Sequence, residues 1–322
     1  LAGGESVTVE FSDGKVVTIA ASSATTPVYT VVQDGESTTL NGTAATTDRT
    51  APAAVDLAST DGIQATANIT VNATEASAGK SIASTIQAPT ATDIAGIKIV
   101  LSGAGLDVTD ATDQLVLDSA KYLDADFTSG SSAVTINQIT GLDYAYTALT
   151  KTLLITKHGS GALTAGDVDN IVAGVKFKTA QADGERIATI SYVDIAGNEG
   201  TSAAVTIAVD KTAPSAPTLV TVTTSGGTST ITETDTNLTV SATIADHEGA
   251  TVAYLKVGST VIASDTSIAS GDTSVTFDLG QTTIEGLQSK IPLGGGVVSV
   301  ELRDAAGNSV TSSAGDNPTL TE

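Results

Sequence analysis

Two five-residue phrases recur in this chain at domain-sized spacing, and they restrict its fold more than any other feature. The first is Asp-basic-Thr-Ala-Pro, at Asp48-Arg49-Thr50-Ala51-Pro52 and again at Asp210-Lys211-Thr212-Ala213-Pro214. The second is Asp-x-Ala-Gly-Asn, at Asp194-Ile195-Ala196-Gly197-Asn198 and again at Asp304-Ala305-Ala306-Gly307-Asn308. Proline fixes its own φ and pushes the residue before it into an extended conformation, so the first phrase reads as a stiff link into a first strand. Gly-Asn after a β-rich run turns the chain, so the second phrase reads as the end of a module. Repeated starts and stops imply tandem modules rather than one large domain.

Between the phrases, short Val-, Ile- and Thr-rich runs alternate with turn signals. Examples are Ile97–Leu101, Leu115–Leu117, Ile187–Tyr192, Ala204–Val209, Leu238–Ile244 and Val297–Leu302. This predicts an all-β fold of tandem β-sandwich modules. The boundaries fall at residues 1–50 (a small or partial β module), 51–211 (a larger sandwich) and 212–322 (an immunoglobulin-sized sandwich). One segment breaks the β pattern. Thr164 can cap a short helix with apolar residues at 168, 171 and 172, ending near Gly174.

Hydrophobic residues make up 40% of the 322, but aromatics only 3%, with no Trp, so the cores are thin. Small thin-cored domains often need disulfides or metal ions, and the chain has no Cys. There are 36 acidic and 14 basic residues, a net charge of −22. Such a surface is a poor partner for nucleic acid or for anionic lipid. No apolar run approaches the ~20 residues of a membrane span, so direct membrane insertion is not expected. With no Met, the chain reads as a piece of a longer protein.

Acids cluster near Gly, Asn and Thr, as oxygen cages for a hard cation such as Ca2+ do. Asp194 and Asn198, Asp210, and the loop acids Asp246 and Glu248 are expected to converge on one calcium ion at the joint between the second and third modules. Asp48 is the matching candidate at the first joint, and Asp304 with Asn308 at a later one. Asp107, Asp110 and Asp113, at i, i+3 and i+6, form a further candidate loop. For each set the plain alternative is a turn or a solvated loop whose side chains bond the backbone. No enzyme is expected. The two histidines, His158 and His247, belong to no catalytic motif, and no phosphate-cradling Gly-Lys-Ser/Thr loop occurs. Tyr144 and Tyr146 share a strand face and read as core packing rather than a sugar platform.

Val209–Pro214 and Arg303–Asn308, with the stretches 99–117, 144–154, 165–168 and 186–194, resemble tandem immunoglobulin-like and cadherin-like repeats of giant bacterial surface adhesins. Many of those are exported by type I secretion and carry calcium-binding repeats-in-toxin ends. The glycine-aspartate nonapeptides of such ends are absent from this sequence. The resemblance implies an elongated array of β-sandwiches on the extracellular bacterial cell surface. It implies a calcium-rigidified spacer that projects a binding head, with calcium ions and neighbouring adhesin domains as partners. Two alternatives stay open: a module that binds a glycan or a surface protein of the host, and a component of a surface-layer lattice.

Overall fold

This computed structural model of the protein describes residues 6–10, 16–20, 28–33, 36–41, 51–58, 63–83, 86–87, 94–106, 112–117, 121–123, 125, 127–128, 134–159, 161–227, 230, 235–244, 247, 249–280 and 296–320. The chain is all-β, with sheets paired face to face around shared apolar cores. Near the N-terminus, β1 (Ser6–Glu10) pairs antiparallel with β2 (Val16–Ala20), and β3 (Val28–Gln33) with β4 (Glu36–Asn41).

The next strands are β5 (Thr66–Val71), β6 (Lys80–Ser81), β7 (Ile94–Ser102), β8 (Asp113–Leu117), β9 (Lys121–Leu123) and β10 (Phe127–Thr128). They are followed by β11 (Val134–Ile136), β12 (Ile139–Thr147), β13 (Thr152–Lys157), β14 (Val175–Thr179), β15 (Gly184–Asp194) and β16 (Ala203–Val209). One sheet runs β10-β12-β13-β7-β15-β16-β5, with β11 on β12. The other runs β6-β14-β8-β9. Pairing is antiparallel except for β16 with β5.

The period-two pattern decides which side chains enter the core. Ile97, Ile99 and Leu101 of β7 point inward, as do Ala188, Ile190 and Tyr192 of β15 and Val205 and Ile207 of β16. Val175 and Phe177 of β14, with Leu115 and Leu117 of β8, meet them from the second sheet. Tyr144 and Tyr146 are buried in the same core, as the strand pattern predicts.

Among the described residues two α-helices interrupt the strands. α2 (Ala165–Gly174) is the helix expected from the sequence. The Thr164 hydroxyl accepts from the Asp167 N–H, the Asp167 carboxylate accepts from the Thr164 N–H, and Val168, Ile171 and Val172 are buried. α1 (Ala73–Ala78) is not among the sequence expectations. It begins with the same reciprocal cap, between Asn72 and Glu75.

A second apolar cluster runs from Val220 to Leu320. Its strands are β17 (Thr218–Thr224), β18 (Leu238–Thr243), β19 (Ala250–Val257), β20 (Thr260–Asp265), β21 (Ser274–Asp278), β22 (Gly296–Asp304), β23 (Ser309–Thr311) and β24 (Thr319–Leu320). The sheet β17-β18-β21 faces the sheet β20-β19-β22-β23, with β24 on β22. Val240 and Phe277 on one side meet Leu255, Val300 and Leu302 on the other.

Candidate functional site at the module joint

Each Asp-x-Ala-Gly-Asn phrase is one hairpin turn, and the two copies fold alike. The Gly197 N–H donates to the Asp194 carbonyl at 3.1 Å, and the Asp194 N–H donates to the Asn198 carbonyl at 3.0 Å. The matching distances at Gly307, Asp304 and Asn308 are 3.2 and 3.1 Å. Gly197 (φ 88°) and Gly307 (φ 92°) hold the left-handed conformation that closes such a turn. In each copy the Asp carboxylate is filled by its Asn. The Asn198 N–H and Nδ2–H donate to Asp194 at 2.7 Å each. The Asn308 N–H and Nδ2–H donate to Asp304 at 2.8 and 2.9 Å.

These turns lie elsewhere than the sequence reading placed them. Gly184 pairs with Val209 and Ile190 with Ala203, so Asp194 and Asp210 stand at opposite ends of the β15–β16 hairpin. At ~3.3 Å per residue, that separates them by roughly 30 Å. Asp194 and Asn198 therefore do not converge with Asp210. Their turn is at the end of the sandwich where residues 51–55 enter. The Val55 N–H donates to the Thr201 carbonyl, and a Cβ on Gly200 would stand 2.7 Å from the Pro52 carbonyl oxygen. Asp304 and Asn308, expected at a later joint, instead meet Asp210. Each turn thus packs beside the phrase that opens its own module.

At this joint the Asn308 carboxamide ties three segments together. Its Nδ2 donates to the Asp210 carbonyl at 2.9 Å as well as to Asp304, and its Oδ1 accepts from the Ala73 N–H at 2.9 Å. Asn72 answers from the other side, its Nδ2 donating to the Ala306 carbonyl at 3.1 Å. The linker is held as well. The Asp210 N–H donates to the Val71 carbonyl, the Lys211 N–H to Asp183 Oδ1 at 2.8 Å, and the Thr212 hydroxyl to Asp183 Oδ2 at 2.6 Å. Asn72, Ala73 and Asp183 are absent from the sequence expectations. The Asn72-x-x-Glu75 capping box would have located the first two.

The electrostatics of the joint are uneven. Burial raises the Asp210 carboxyl above its ordinary value, and repulsion from Asp304 and Asp183 adds to that, against a partial offset from the Thr212 N–H. Asp183 is drawn the other way: its bonds from Thr212 and Lys211 outweigh burial and hold it low. At Asp194, burial would also raise the carboxyl, but donation from Asn198, Ala196 and Gly197 wins. A carboxylate with a depressed folded pKa contributes stability above its unfolded value near ~3.9, and loses it as pH falls through the folded one. Asp194 and Asp183 follow that sign, as does Glu199, bonded by Lys98 and Ser191. The melting temperature should therefore drop steeply below about pH 4. Asp194→Asn should lower it at neutral pH and flatten that acid drop, which thermal scans from pH 2 to 7 would register.

The other candidate residues divide as follows. Asp113 begins β8 and is fully buried, facing Arg186 Nε at 3.4 Å, so it is not an open loop ligand. Asp48, Asp107, Asp110, Asp246 and Glu248 lie outside the described residues. Among the described residues no three His, Asp or Glu side chains are grouped closely enough to hold a metal ion. His158 Nδ1 lies 2.8 Å from Asp143, and His247 is buried. Among the described residues no helix is long and apolar enough to cross a membrane.

The turn glycines give a paired prediction. A Cβ on Gly197 meets nothing within 4 Å, so Gly197→Ala should cost only the strained φ, about 1–2 kcal/mol. On Gly307 the same atom would stand 3.2 Å from Asn72 Nδ2. Gly307→Ala should therefore lower the melting temperature and also disturb the contact between modules. Amide chemical shifts at Asn72 and Ala73 would report that second effect.

No protein-family model matches this chain, and no curated protein matches it. Solved structures it aligns with include fibronectin(III)-like modules of Clostridium thermocellum CbhA, at 14% identity over 80% of this chain and 89% of that one, with a TM-score of 0.26. A 1.5-MDa bacterial ice-binding adhesin aligns at 14% identity over 85% of this chain and 65% of its own, with a TM-score of 0.24. The D00-D0 domain of intimin aligns at 13% identity over 70% and 100%, with a TM-score of 0.18. At these scores the likenesses carry no argument about function, which rests on the joint described above.

Proposed function

We propose that this chain is an extension segment of a bacterial surface adhesin, in which each module is oriented by a built joint and calcium ions neutralise the acids gathered there. The observation that carries the reading is the Asn308 carboxamide, which binds its own turn, the linker carbonyl of Asp210 and the Ala73 N–H of the preceding sandwich. A flexible linker between independent beads has no use for such a group. A spacer that transmits orientation does. Its setting is extracellular, and its partners are the neighbouring modules of the same protein.

The calcium part rests on the imbalance at Asp210. Burial raises the Asp210 carboxyl, and the charges of Asp304 and Asp183 add to that cost. A divalent cation there relieves the repulsion, with Asp210 and Asp304 as the oxygen donors nearest at hand. An ion whose Kd lies 100-fold below ambient calcium contributes about 2.7 kcal/mol. Thermal unfolding and small-angle scattering in excess EDTA, then in about 10 mM calcium, test this. Calcium should raise the melting temperature and narrow the spread of module orientations. Asp210→Asn keeps the Oδ1 acceptor but removes the charge. It should gain up to about 2 °C in EDTA and lose most of the calcium response. An unchanged melting temperature and scattering curve in calcium would reject metal at the joints and leave the hydrogen-bonded joint to stand alone.

A further inference from the structure

An open sheet edge recruits another strand unless a charge, a proline, a bulge or simple shortness prevents it. Among the described strands, β5 is the outermost of its sheet and pairs only with β16. The Ala204 N–H donates to the Ala65 carbonyl and the Asp210 N–H to the Val71 carbonyl. Alternation therefore turns the backbone groups of Thr66, Asn68 and Thr70 away from the sheet. Lys80 Nζ donates to the Thr70 carbonyl, which leaves the stretch around Thr66 and Asn68 open. The other described edges of the two sandwiches each carry a guard. β17 and β20 shift register along their partners, β9 and β21 hold Lys121 and Asp278, and β6, β10, β11, β23 and β24 are two or three residues long. β5 runs Thr-Ala-Asn-Ile-Thr-Val over six residues, with no charge, proline or register shift.

What β5 does carry is Asn68-Ile69-Thr70, an Asn-x-Thr acceptor signal for glycosylation. The same signal occurs at Asn41-Gly42-Thr43, Asn72-Ala73-Thr74 and Asn237-Leu238-Thr239. Thr43 lies outside the described residues. Asn72 is already engaged, its Nδ2 donating to the Ala306 carbonyl and its Oδ1 accepting from the Glu75 N–H. Asn237 is half-buried, with Nδ2 3.5 Å from Thr239 Oγ1. Asn68 and Thr70 are both exposed and share one strand face, while Ala67 and Ile69 of the other face pack on the core. We infer that Asn68 is N-glycosylated and that its sugar closes the β5 edge. Asn68 Nδ2 attacks the anomeric carbon of a sugar activated as a nucleotide or lipid diphosphate. The bond from that carbon to the phosphate oxygen breaks, the diphosphate leaves with the electron pair, and Nδ2 gives up one proton. A separate transferase catalyses the step, and this chain is the acceptor. The exposed Asn68 side chain takes the sugar without displacing a core residue or a bond of the joint. A bulky, hydrated ring at the middle of the strand stands where a second strand would dock.

Peptide mass spectrometry of the protein isolated from the cells that make it is the direct test. Fragmentation should place a sugar on Asn68 and none on Asn72 or Asn237. Coexpression of the intact chain with a soluble asparagine glucosyltransferase that uses UDP-glucose should add a hexose at Asn68. Asn68→Gln and Thr70→Val should each abolish that addition, and melting temperatures equal to wild type show that both variants fold. Sedimentation velocity then reads the role of the sugar. The unmodified chain should self-associate as its concentration rises, whereas the hexose-bearing chain and Asn68→Lys should stay monomeric. An unoccupied Asn68 in the protein from its own cells overturns the inference, as does a sugar found on Asn72 instead. An unmodified chain that stays monomeric at every concentration overturns the edge-closing role.

Discussion

Replacing Arg186 with Met should destabilise the larger sandwich by about 3–5 kcal/mol and lower its melting temperature by roughly 10–15 °C. Arg186 is the largest side chain buried in the whole described structure, at 1% exposure, and its partner Asp113 is at 0%. It projects from β15 of one sheet to Asp113 at the start of β8 in the other, so the pair bridges the two layers. The remaining guanidinium protons are used locally: Nη1 donates to the Gly184 carbonyl at 3.0 Å and Nη2 to the Ala182 carbonyl at 3.2 Å. Removing the cation leaves a buried carboxylate and two carbonyls with lost donors, and that, rather than the worth of the pair itself, is the main cost. Pairing Arg186→Met with Asp113→Leu should therefore recover part of the loss, because both charges then leave the interior together. A fall of less than about 2 °C in the single variant would show that the interior accepts Asp113 without the Arg186 cation.

That pair also shows where a one-dimensional reading stops. The strands around it were legible because period-two alternation is a local signal. Ile97, Ile99 and Leu101 announce an inward face wherever they sit in the fold. Asp113 carried no such signal. It stands at the end of a run of loop acids, and only the pairing of β8 opposite β14, with β15 across the core, turns it inward to a cation 73 residues away. α1 was missed for a different reason. At six residues it is too short to show a helical apolar stripe, and only its Asn72–Glu75 capping box marks it in the sequence. α2, at ten residues with Val168, Ile171 and Val172 buried on one face, shows both the cap and the stripe.

The joint was half legible. The repeated phrases mark the right residues, because a left-handed glycine that closes the turn and an Asn that fills the Asp carboxylate are local needs that recur with the turn. Which phrase meets which is set by hairpin geometry. A turn that follows a strand in sequence lies at the far end of that strand in space. The phrase that seems to close a module therefore sits at the pole where the module began. For this reason Asp194 stands away from Asp210, and Asn308 reaches it instead.

Asn308 is consequently where one substitution should most change how the two sandwiches are held. Asn308→Ala removes the side-chain bonds to Ala73, Asp210 and Asp304 together, keeps the backbone N–H bond to Asp304, and leaves the Ala73 N–H and Asp210 carbonyl short of partners in a part-buried contact. The expected cost is about 2–4 kcal/mol of coupling between modules. Each core should keep most of its own stability, since neither apolar cluster includes the residue. Because the chain has no Cys, spin labels can be placed uniquely at Leu149→Cys and Val261→Cys, both exposed positions on different sandwiches. The wild-type chain should give a narrow distance distribution between the labels, and Asn308→Ala a broad one. Asn308→Asp separates hydrogen bonding from charge. It keeps an oxygen for the Ala73 N–H but sets a further carboxylate beside Asp304 and facing the Asp210 carbonyl. In EDTA it should broaden the distribution more than Ala does. In calcium it should narrow again, because the added carboxylate completes an oxygen-rich cluster that a divalent ion can bridge. Equal behaviour of the Asp and Ala variants in both conditions would mean that hydrogen bonds alone set this joint. A narrow distribution in all three proteins would mean that the joint is held elsewhere.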